Sequence, residues 1–95
     1  MKKPCRVWIT KFAEKQVRKL PRHIVAAYHT WVKTVELAGI RATRAFPGYH
    51  DEPLKGKRKG QRSVRLSKSY RVLYEETESG NIVLIGVIEV NKHEY

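Results

Sequence analysis

Ile24, Tyr28, Trp31, Val35 and Ala38 recur at alternating steps of four and three residues, with Val25 and Val32 beside them. His29, Lys33 and Glu36 occupy the opposite side. This is the apolar stripe of an amphipathic helix. Pro21 suits its first position, where a backbone N–H is not needed. Gly39 is a stop signal, although "IRATRAF" can carry the helix one more turn. Upstream, "CRVWIT" at 5–10 is rich in β-branched and aromatic residues and predicts a short strand. Thr10 then caps a helix running to Leu20, with Ala13, Val17 and Leu20 on one face. Beyond the turn-rich "FPGYHDEP" the period changes to two. "QRSVRLS" and "SYRVLYEE" alternate, and "NIVLIGVIEV" is an almost unbroken apolar run, the pattern of a central strand covered on both faces. "SGN" at 79–81 predicts the hairpin turn between the last two strands. The predicted architecture is α+β: two N-terminal helices on one face of a mostly antiparallel four-stranded sheet, in the order β-α-α-β-β-β. With 95 residues, the chain is expected to be a single domain spanning 1–95.

Charge changes this picture. The formal net charge is +11, which draws polyanions: nucleic acid, an acidic protein partner or an anionic membrane. No apolar run approaches the ~20 residues of a spanning helix, so a membrane is the weakest of the three. The basic start "MKKPCRVWITKF" carries no apolar stretch long enough for a secretory signal, and a cytoplasmic location is expected. The single Cys5 fits a reducing compartment and is expected to be a buried strand residue. Eight Lys and Arg fall between Lys55 and Arg71, with no acid between Glu52 and Glu75. The basic residues form a patch, and the acids of the C-terminal half flank it.

Alternation along the strands sorts this patch. Val64, Leu66, Val72 and Tyr74 are expected to face the helices, and Ser63, Arg65, Arg71 and Leu73 the other side. Arg65 and Arg71 would then converge on one solvated surface, where two planar guanidiniums suit a phosphate. "GKRKG" is expected to form a mobile basic rim. The residues expected to contact phosphate or RNA are Lys55, Lys57, Arg58, Lys59, Arg62, Lys68 and Lys92. The four histidines lack the spacing of a zinc site, so neither a metal nor a cofactor is expected. No phosphate-binding glycine loop or nucleophile elbow is present. Glu52 enters the basic segment, and His93 and Tyr95 follow the last strand. RNA cleavage without a metal needs a base for the 2′-OH, cations for the charge building on phosphate, and an acid for the 5′-oxygen. Glu or His can be the base, Arg and Lys the clamp, and His or Tyr the acid.

At these residues the sequence resembles the RelE/ParE toxin superfamily of bacterial type II toxin–antitoxin modules. The resemblance covers nearly the whole chain. "EPLKG", "RSVRL" and "YRVLY" are similar to the YoeB and HigB branches, and "SYRVLY" and "VNKHE" to RelE. It implies an mRNA interferase acting in the ribosomal A site, against the 16S rRNA, and leaving a 2′,3′-cyclic phosphate and a 5′-OH. It also implies a cognate antitoxin partner. By the resemblance Glu52 is a candidate general base, with His50 the second choice. Arg65 falls where these toxins carry an Arg or Lys, and Arg71 matches the arginine that contacts the scissile phosphate. His93 serves acid–base or phosphate chemistry, and Tyr95 stacks on a base or orients the phosphate. The tail reads His93-Glu94-Tyr95 where some relatives have an adjacent His-Tyr pair. Two other functions fit the same chain: a ParE-like gyrase inhibitor without catalysis, and a plain basic binding module.

Overall fold

The structure, a computed structural model, describes residues 3–92. Strand β1 (Cys5–Ile9) leads to helix α1 (Lys11–Arg18), then α2 (Arg22–Ala38) and a short α3 (Ile40–Arg44). Four strands follow: β2 (Glu52–Pro53), β3 (Gln61–Arg65), β4 (Tyr70–Ser79) and β5 (Ile82–Lys92). The sheet order is β1-β5-β4-β3-β2, with β1 parallel to β5 and every other pair antiparallel. The expected α+β layering holds, with two differences. The sheet has five strands because Glu52 and Pro53 pair with Ser63 and Arg62 inside what reads as a turn. A third helix appears because Gly39 breaks α2 and the chain resumes helical geometry at Ile40.

Local chemistry sets the ends of these elements. The Thr10 hydroxyl accepts from the Ala13 N–H at 3.1 Å and so caps α1. Helix α1 stops at Arg18, two residues short of Leu20. Pro21 sits just before the first helical residue of α2, one position earlier than expected. Ser79 pairs with Ile82, so the hairpin turn is Gly80-Asn81, and Gly80 supplies the positive φ of 60° that opens such a turn.

The core lies between the helices and one face of the sheet. Ile24, Tyr28, Trp31 and Val35 of the α2 stripe are all buried. Tyr28, Trp31 and Val35 share one cluster with Val64, Val72 and Tyr74 and the β5 residues Val83, Ile85, Val87 and Val90. Cys5 is buried, as its strand composition implied. Strand β5 is interior, lying between β1 and β4. A bulge between Leu73 and Tyr74 shifts its register by one residue, pairing Leu73 with Glu89 and Tyr74 with Val87. On the sheet's other face Gly86 admits the Trp8 indole, since a Cβ there would come within 2.4 Å of Trp8 Cζ2. No helix among the described residues is long and apolar enough to cross a membrane.

Tyr28 makes this core sensitive to alkali. Burial, and secondarily the charge of Glu36, push its phenol up to about 12. The folded state therefore keeps a proton that the unfolded chain releases near pH 10. The stabilisation is complete below pH 10 and is lost as pH rises from 10 to 12. Urea unfolding across that interval should show Tyr28→Phe losing less stability than wild type, by on the order of 2 kcal/mol. Equal losses in the two proteins would count against this role for Tyr28.

Candidate active site

Arg65 and Arg71 are direct partners across β3 and β4, so their side chains leave the same face of the sheet. Like charges placed opposite each other destabilise a strand pair. Arg71 Nε is buried and has no hydrogen-bond partner among the described residues. The two guanidiniums border a pocket of about 260 Å³ with His50, Glu52, Ser63, Lys68 and Tyr70 along its wall. Glu52 reaches the pocket because β2 lies antiparallel to β3, with Glu52 opposite Ser63. His50 reaches it through a left-handed backbone with φ 43°, the only positive φ outside glycine among the described residues. One carboxylate, one imidazole and two guanidiniums thus share a small polar hollow. That set can accept a proton and hold an oxyanion.

Asp51, between His50 and Glu52, is the residue that sequence reasoning missed. Its side chain is 1% exposed. One carboxylate oxygen accepts from Arg62 Nε at 2.5 Å, and the other accepts from the Tyr74 hydroxyl at 2.6 Å. Arg44 Nε lies 3.8 Å from the first oxygen and donates to the Tyr74 hydroxyl at 3.2 Å. Arg44 Nη2 also donates to Glu76 at 2.7 Å. Burial works against the Arg44 charge, but its bonds to Glu76 and Tyr74 and the nearby Asp51 outweigh this, and its pKa lies above the ordinary value. Burial, followed by the bond to Asp51, raises Tyr74 above the usual phenol range, so it remains a donor. The signal in the sequence was an acid flanked by two site candidates in "YHDEP".

The remaining expected contacts divide. Lys68 lines the pocket. Lys55, Lys57 and Lys59 are exposed on the segment before β3, and a 3-10 turn at Gly56–Arg58 orders its middle. Arg58 is not free on that rim. It donates to Glu89 at 2.6 Å and to Gln61 at 2.9 Å. Those partners lie on β5 and β3, so Arg58 spans β4 on the open face, where Leu73 is 1% exposed. Arg62 is also committed elsewhere. It pairs opposite Tyr74, on the helix side of the pleat, and binds Asp51. Lys92 pairs with Tyr70 and is one residue out of phase with Asn91, the partner of Arg71, so it falls on the opposite pleat from the arginine pair. His93 and Tyr95 lie outside the described residues.

No protein-family model and no curated protein matches the sequence. Solved structures do match. A chain of the archaeal RelE–RelB complex from Pyrococcus horikoshii gives a TM-score of 0.71 at 21% identity, over 94% of each chain. A chain of the YoeB–YefM complex from Staphylococcus aureus gives 0.69 at 16% identity, over 95% of this chain and 98% of that one. A chain of a RelBE toxin–antitoxin complex from Mycobacterium tuberculosis gives 0.68 at 24% identity, over 95% and 99%. At these identities the likeness establishes the fold: the chain has the α+β architecture of the RelE and YoeB toxin structures, as its sequence resemblance implied.

Proposed function

We propose that the chain is the toxin of a type II toxin–antitoxin pair and that it cleaves mRNA in the ribosomal A site. The observation that carries this reading is the directly opposed Arg65 and Arg71 in one pocket with Glu52 and His50. Glu52 takes the proton of a 2′-OH, with His50 the alternative base. The alkoxide attacks the adjacent phosphorus and the 5′-oxygen leaves, giving a 2′,3′-cyclic phosphate and a 5′-OH. Arg65 and Arg71 hold the phosphate and offset the charge that builds on it. The leaving oxygen takes a proton from a tail residue, His93 or Tyr95. The exposed lysines of the basic segment, with Lys68, add contacts to neighbouring phosphates. An antitoxin with acidic or amphipathic segments meets a chain of net charge +11, which favours fast association.

Matched structures of RelE with RelB and of YoeB with YefM support the toxin reading. A gyrase inhibitor on this fold would have no use for a carboxylate beside paired arginines. Mapping mRNA 5′-ends after induction in cells tests the reading. Codon-phased cuts are expected in wild type, and intact mRNA in arrested cells would overturn it.

A further inference from the structure

Glu52 and His50 sit on backbone with few bonds of its own: the His50 N–H closes a 3-10 turn on the Pro47 carbonyl at 3.1 Å, and little regular structure follows it. Strand β2 is two residues long at the sheet edge, and its second residue is Pro53, which has no N–H to give. Its outer end is tied by the Leu54 N–H to the Gln61 carbonyl at 2.9 Å. His50 adopts a left-handed conformation that costs a non-glycine residue on the order of 1 kcal/mol. Between them, the Asp51 carboxylate is buried and bonded through both oxygens. A buried charge of this kind is a weak source of stability, since apolar residues of similar volume often serve a fold as well. What a doubly bonded carboxylate supplies is direction. Arg62 on β3 and Tyr74 on β4 fix it from two strands, and Arg44 braces Tyr74 from α3.

We propose that Asp51 is a positioning residue: by locking onto Arg62 and Tyr74 it turns Glu52 and His50 toward the Arg65–Arg71 pair. The inference rests on the ribonuclease reading for its effect on catalysis, but not for its effect on the backbone. Asp51 is buried and does not line the pocket, so it acts through its neighbours. Its loss therefore changes the rate of the bound complex more than binding, because the arginines that grip the phosphate belong to β3 and β4 and stay in place.

Three variants test this: Asp51→Asn, Tyr74→Phe, which keeps the carboxylate and its Arg62 bond, and Val35→Ala, a core control on α2. Each is compared with wild type at conditions of equal folded fraction. Two readouts are taken: steady-state cleavage of a ribosome-bound mRNA, and amide hydrogen exchange at residues 50–54. Asp51→Asn and Tyr74→Phe are expected to lower kcat about tenfold or more with KM changed less than threefold. They should also accelerate exchange at 50–54 relative to β4, whereas Val35→Ala should do neither. If Asp51→Asn does not fold, Tyr74→Phe decides. Exchange at 50–54 unchanged in Tyr74→Phe, or matched by Val35→Ala, overturns the proposal. Wild type that cleaves no mRNA overturns the ribonuclease reading instead, and the exchange comparison still judges the positioning.

Discussion

Arg71→Met should abolish most RNA cleavage and leave the protein slightly more stable. The two effects have one cause. Arg65 and Arg71 are direct cross-strand neighbours, and no described acid pairs with either. Replacing one relieves a like-charge repulsion of up to about 0.5 kcal/mol. It also removes a buried N–H that lacks a partner among the described residues. Methionine keeps the length of the apolar stem, so packing is largely preserved. The pair contributes nothing to the fold, whereas a phosphate placed between the guanidiniums reverses the sign of the interaction. Loss of one preorganised cation at the reacting phosphate should cost about 100- to 1000-fold in cleavage rate. Inorganic phosphate should raise the melting temperature of wild type more than that of the variant, because ligand binding to the folded state adds stability by mass action. Cleavage within about threefold of wild type would remove Arg71 from the site. A clear drop in stability would mean the guanidinium serves the fold rather than an anion.

The same residues show how far the sequence could be read. Period alone placed Arg65 and Arg71 on one face, because alternation is a local property that survives folding. It also separates Arg62 from them, since three residues along a strand is an odd step. Grouping Arg62 with the phosphate contacts followed charge instead of pleat, and the structure gives it to Asp51. The ion pair of Arg58 was illegible for another reason. Its partner Glu89 is 31 residues away, and no local pattern announces a pair made across a strand. The α2 stripe was legible because four buried residues repeat at helical spacing over 17 residues. Strand β2 was not, because two residues beside Pro53 carry no periodicity, and its pairing is set by β3. The bulge opposite Leu73 was equally silent, since one extra residue in the near-continuous apolar run of β5 leaves no mark on the pattern.

Trp31→Ala should be the most destabilising single change, at about 3–5 kcal/mol. Trp31 is fully buried on α2, with its ring 5.5 Å from that of Tyr74 and 6.4 Å from that of Tyr28. It thus joins the helix layer to the strand whose Tyr74 hydroxyl holds Asp51. A chain of 95 residues has a total stability of roughly 5–14 kcal/mol. The cavity therefore removes a large share of it and loosens Tyr74 as well. Trp31→Phe should cost about half as much. It keeps an aromatic ring between the two tyrosines and eliminates the indole N–H, which is buried without a partner among the described residues. Urea unfolding measures both, and Trp8, 44% exposed, remains as the fluorophore in each variant. The midpoint should fall by about 2 M in Trp31→Ala with little change in slope. If Trp31→Phe were as damaging as Trp31→Ala, the indole N–H would have a partner in solution. The contribution of Trp31 would then be polar as well as apolar.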